Sequence, residues 1–196
     1  HLVQTGANER LNSSKLVILN QIDRSMEDMF QDIVSYTNYF YCNRELNRLI
    51  SLGDFENAYE ELVVQKNIRS YFRESRVIYS NMDYNLRLLC DGGRNYSTED
   101  DGSEYIDYPA LKELQREPWY QKLGENSSSI KYIPAYVSRE LRKTEDDSAM
   151  RAVRLIKNLN SGRVLGIMEV NITQKQVEGI FRGGVEKESQ QVFLMD

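Results

Sequence analysis

Apolar residues recur alternately three and four positions apart from Leu19 through Ile22, Met26, Met29, Ile33 and Tyr36 to Phe40. That spacing draws a stripe along one face of an α-helix. Asn20, Asp23, Arg24, Glu27, Asp28 and Asp32 fill the positions between. Neither Pro nor Gly interrupts from Ala7 to Leu52, so the pattern predicts one long helix over about 9–49. Gly53 ends it. Asp54 is a suitable N-cap, and Phe55, Tyr59 and Leu62 resume helical spacing, which predicts a second helix from 55 to 72 or 78.

The period changes near Asn81. "NLRLLCDGGRNYS" sets Leu86, Leu88 and Cys90 against Arg87 and Leu89, turns at Asp91-Gly92-Gly93 and resumes at Asn95 and Tyr96. This predicts strand, turn and strand. The acidic "STEDDGSEYIDYP" reads as a loop, and "PALKELQREPWYQKLGE" as a helix broken or restarted at Pro118. "SSIKYIPAYVSRE" reads as a strand with Pro134 at an edge. "RAVRLIKNLNSGRVLGIMEVNI" reads as two strands joined at Asn160-Ser161-Gly162. Thr173 is a suitable N-cap for a short helix in "TQKQVEGIF", and the closing "QQVFLMD" looks like a strand. Hairpin strands with helices set to one side predict the α+β class with an antiparallel sheet.

The chain has 196 residues, enough for one large domain or two small modules. Its net charge is −5 and its pI near 5.1, which argues against a nucleic-acid partner, since phosphate binding needs a basic face. No apolar run approaches the ~20 residues of a membrane helix, and no signal-peptide pattern is present. The chain starts at His1 rather than Met, and so reads as part of a longer one.

Little here supports enzymatic chemistry. The one His is the first residue, so a Cys/His nucleophile pair is implausible. Cys42 and Cys90 are too few for a zinc site, and no cofactor or metal is expected. The two thiols can form one disulfide in an oxidising compartment, but the better reading is two buried free thiols. Aligned as a calcium loop, "STEDDGSEY" puts Tyr108 where the bidentate Glu belongs, so the match fails. "CDGGRNY" has no phosphate-loop Lys and reads as a hairpin turn. No carboxylate pair lies in an apolar setting, which leaves a small hydrolase as the least favoured class.

Thirteen Tyr stand beside six Phe and one Trp, and Tyr suits pockets and interfaces. Trp119 and Tyr120 start a helical turn, and Tyr132, Pro134 and Tyr136 share one face of the following strand. With Arg116 nearby they make a candidate small-molecule pocket, to be set against plain core packing.

The order of elements, the long first helix, the "PWY" helix start and "SGRVLGIMEVNITQKQVEGIF" resemble the extracytoplasmic Cache sensor domains of bacterial membrane receptors. The double-Cache domains of YesM-like sensor histidine kinases are the nearest in kind. The resemblance implies a long helix over 1–52 packed on a PAS-like antiparallel sheet of about five strands with flanking helices. It implies a membrane-distal, ligand-binding module over 53–184, and over 185–196 the start of a membrane-proximal module opened by "QQVFLMD". It further implies a small-molecule ligand sensed outside the cell and a signal carried along the long helix. A homodimer through that helix, flanking membrane spans and a histidine-kinase parent are also implied, with no chemistry in this portion. The expected ligand-binding set is Arg116, Trp119, Tyr120, Tyr132, Tyr136 and Arg154. A chemoreceptor parent is one alternative, and a helical dimerisation module without a small ligand is another. Amino-acid binders of the family carry Arg two residues before the Trp. Here Glu117 stands there, with Arg116 one residue earlier, so the sequence selects neither an amino acid nor a sugar.

Overall fold

The computed structural model describes residues 2–53, 55–80, 82–98, 111–124, 129–141 and 147–193. Helix α1 covers Leu2–Tyr41, α2 Arg44–Ser51 and α3 Ala58–Ile78. Strand β1 covers Asn85–Cys90 and β2 Asn95–Ser97, joined by a 3-10 turn at Asp91–Gly93. Two short helices follow, α4 at Leu111–Leu114 and α5 at Pro118–Gln121. Then come β3 at Lys131–Pro134, a 3-10 turn at Arg139–Leu141, β4 at Ser148–Lys157, β5 at Val164–Thr173 and α6 at Gln174–Phe193.

The single helix predicted over 9–49 is in fact two. Asn43 leaves the helical region with φ −77° and ψ 105°, and its side chain accepts the Leu46 amide at 2.9 Å. An Asn that satisfies an N-terminal donor favours a new start over continuation. The next helix begins at Ala58, capped by Asn57, whose side chain accepts the Glu60 amide at 2.9 Å. Asp54, expected as that cap, lies outside the described residues, as does most of the loop weighed for calcium.

The five strands form one sheet in the order β2-β1-β5-β4-β3. β1 runs antiparallel to β2 and β5, with Arg87 opposite Glu169 and Leu88 opposite Met168; β3 runs antiparallel to β4, with Ile133 opposite Arg151. β3 is an edge strand, where the missing N–H of Pro134 costs nothing. The β4–β5 turn carries Gly162 at φ 70°. Asn47 of α2 closes the base of this hairpin: its amide donates to the Lys157 carbonyl at 2.7 Å and accepts the Leu159 N–H at 3.2 Å.

Alternation gives the sheet two faces. Leu86, Leu88, Met168 and Ile156 face α2 and the last turns of α1, where Phe40, Leu46 and Ile50 meet them around an apolar gap too small for water. The Phe40 ring lies 4.8 Å from Phe72 of α3, and Tyr36 lies 5.0 Å from Tyr79. Leu89, Ile167, Val153 and Ile133 face the other way, toward α4 and α5.

The chain divides into two compact units, 33–172, and 1–32 with 173–196. In the second, Thr173 and Gln176 cap α6 reciprocally. The Thr hydroxyl accepts the Gln176 amide at 3.2 Å, and the Gln176 side chain accepts the Thr173 amide at 2.7 Å. Gly184 of α6 meets Ile22 of α1 so closely that a Cβ would stand 2.9 Å from its Cγ1. The strand expected at "QQVFLMD" is helical through Phe193, and 194–196 lie outside the described residues. Glu186, Lys187, Glu188, Gln190 and Gln191 favour the helix, and no Pro or further Gly stops it. Among the described residues no helix is long and apolar enough to cross a membrane.

Candidate functional site

Pro118 occupies the first turn of α5 and so fixes Trp119 and Tyr120 on helical backbone. Trp119 is 4% exposed and packs with Leu111, Leu114 and Leu123 over Ile133 and Ile167. Tyr120 is half-buried at the edge of that cluster, its ring 6.1 Å from the indole in an edge-on arrangement. Burial raises its phenol pKa, and a hydrogen bond with Gln115 opposes the rise.

The aromatic set expected at one pocket mouth does not converge. Ile133 points into the Trp119 cluster, so its neighbour Tyr132 points through the opposite face of β3, where Ala152 pairs with it. Tyr136 is 70% exposed in the turn after β3, and Arg116 is exposed between α4 and α5. Arg154 also lies on the far side from Trp119. Its guanidinium stands 3.7 Å from the centre of the Tyr41 ring, and its Nη1 donates to Asn38 Oδ1 at 2.7 Å. Burial lowers its pKa. The reason is the two-residue period of β3: residues that share a face with Tyr132 cannot also face α5.

On the Trp119 side the sheet instead carries a buried charged cluster that sequence reasoning did not single out. Glu169 of β5, 0% exposed, accepts through one oxygen from Arg87 Nη2 of β1 at 2.6 Å and stands 2.9 Å from Arg151 Nε of β4. Arg151 Nη1 donates to Ser138 Oγ at 2.9 Å and reaches the carbonyls of Ala135 at 3.1 Å and Ser138 at 3.2 Å. Ser148 hydrogen-bonds Asn171, the next β5 residue on this face. The signal was legible: each charge interrupts a strand whose other residues are mostly buried and apolar, "NLRLLC", "AMRAVRLI" and "GIMEVN". Such charges are rarely buried unless paired, so each needed a partner on a neighbouring strand.

This face therefore has an apolar part beneath α4 and α5 and a charged, hydrogen-bonding part beside it. Cys90 faces the other side. It is buried and its thiol is pushed up to about 12, whereas Cys42 is exposed, against the expectation of two buried thiols.

No family model matches the chain, and no curated protein does. Solved structures similar to it include the ligand-binding domain of the Campylobacter jejuni chemoreceptor Tlp3 in complex with L-valine. That match has 16% identity and a TM-score of 0.47, and covers 85% of this chain and 64% of that one. The sensory domain of the same receptor with isoleucine bound matches at 17% identity and TM-score 0.48, covering 85% and 63%. The ligand-binding domain of the Pseudomonas aeruginosa PAO1 amino-acid chemoreceptor PctC in complex with GABA matches at 12% and 0.47, covering 90% and 68%. The chain thus spans under two thirds of the length of the Tlp3 domains. At such identities and scores these likenesses transfer no ligand to this chain.

Proposed function

We propose that this chain is the small-molecule-sensing domain of a membrane receptor, facing the outside of the cell, and that its ligand lies on the Trp119 side of the sheet. The observation that carries the reading is the pairing there of an apolar floor with the buried Arg87–Glu169–Arg151 cluster. The resemblance of the element order to Cache domains supports the sensory role. A sensor histidine kinase is the first reading of the parent and a chemoreceptor the second. Flanking membrane spans belong to the same proposal.

Dimerisation through α1 is proposed with it. The apolar stripe continues N-terminally into exposed side chains, with Leu16 and Leu19 each 60% exposed, and a second copy would cover them. The dimer of an excised domain is weak, because membrane spans normally supply the local concentration.

The test is a thermal-shift and native mass-spectrometry panel of L-amino acids, short carboxylates and monosaccharides. A ligand at 100 times its Kd stabilises by ~2.7 kcal/mol. Stabilisation by one class, lost in Trp119→Phe or Glu169→Gln variants that still fold, is the expected result. No stabilisation by any class, with no small molecule retained through purification, overturns the reading.

A further inference from the structure

We infer that β4 is a lever that reports the state of the Trp119-side cluster to helix α1, with Arg151 as its input and Arg154 as its output. The inference deepens the proposed function, because it takes that cluster to be the ligand side.

Arg151 and Arg154 are three residues apart on one strand, so alternation turns them to opposite faces. Arg151, 1% exposed, is bonded to Glu169 on β5, to Ala135 and Ser138 after β3, and to Ser148 at the start of β4. A ligand that rearranges Glu169 or Ser138 would shift this guanidinium. Arg154, 7% exposed, makes a hydrogen bond and a ring contact to the last turns of α1: it donates to Asn38 and stacks on Tyr41. Asn38 and Tyr41 stand three residues apart, on one side of that helix.

An aliphatic residue at 154 would pack as well and tolerate sliding. A guanidinium stacked on a ring and bonded to an amide accepts one orientation, so it reads the strand's position. β4 lies between β5 and β3, and a hydrogen-bonded interior strand moves as a unit.

Cys42 supplies the reporter. It follows Tyr41 directly and is exposed, while Cys90 is buried with its thiol pushed up to about 12, so a thiol reagent at mildly alkaline pH reads Cys42 alone. The experiment is a double-mutant cycle on the chain without ligand, combining Ser138→Ala, which removes one Arg151 acceptor, with Arg154→Met. It reads the Cys42 labelling rate and amide exchange over 36–42, with amide exchange in α3 as the measure of retained fold.

The expected result is that Ser138→Ala shifts Cys42 labelling about fivefold, the low end of site-to-site coupling, and under twofold once Arg154 is Met. Asn38→Ala, which cuts the contact from the helix side, should uncouple as well, and it decides the matter if Arg154→Met loses α3 protection. The same factor in both backgrounds, or no effect of Ser138→Ala on Cys42, overturns the lever. A chain that shows the coupling yet binds nothing in the ligand panel sustains the lever and overturns the proposed function.

Discussion

Gly166 of β5 lies so close to Leu89 of β1 that a Cβ on it would stand 2.5 Å from the Leu89 carbonyl oxygen. The obstacle is sheet backbone, which cannot swing aside as a side chain can. Gly166→Ala must therefore push β1 and β5 apart in the middle of the sheet. We expect a loss of ~1–3 kcal/mol by urea denaturation, the usual cost of overpacking. Gly53→Ala, with nothing within 4 Å, is the control and should stay within ~0.5 kcal/mol.

Glu169→Ala removes the carboxylate that pairs with both Arg87 and Arg151, whose side chains are 3% and 1% exposed. Two guanidinium groups are then left with less compensation in a buried site. The loss expected is ~3–5 kcal/mol, as for breaking other buried pairs. The denaturant midpoint should fall with m unchanged; a change under ~1 kcal/mol would show that the cluster reaches solvent on its own.

Trp119→Ala should cost ~3–5 kcal/mol, because the indole is buried among leucines. Tyr136→Ser, at a residue 70% exposed, should leave stability within ~0.5 kcal/mol. Equal small effects at both positions would return Trp119 to the surface.

Stability should decline at high pH in a definite window. Burial raises the Cys90 pKa from 9.0 to about 12 and raises Tyr36 and Tyr96 as well. The folded chain keeps these protons longer than the unfolded chain does. Their contribution is therefore fully present below about pH 9 and is lost as pH rises toward 12. Denaturation at a series of alkaline pH values checks this, and Cys90→Val should flatten part of the decline.

Much of the fold is local chemistry, and the sequence shows it directly. The hairpin at Asn160-Ser161-Gly162, the cap at Thr173, the restart at Pro118 and the edge strand ending at Pro134 all depend on residues a few positions apart. The apolar stripe also marked Met29, Ile33, Tyr36 and Phe40, each of which is buried. The break at Asn43 was legible in kind, since Asn is a strong N-cap, but the continuous apolar stripe hid it.

The candidate site is different. Arg87 and Glu169 are 82 positions apart and become partners because β1 and β5 pair in one register, with Arg87 opposite Glu169. A slip of one residue would turn every side chain of the strand to the other face and separate them. The same parity sends Tyr132 away from Trp119, and Arg154 to α1 rather than to Glu169. The sequence alone determined most of the helices and strands, because propensity, capping and periodicity act over a few residues; it missed the break at Asn43 and read the last turn of α6 as strand. Only the tertiary structure decided which side chains meet, because register and sheet order are set by contacts between strands far apart along the chain.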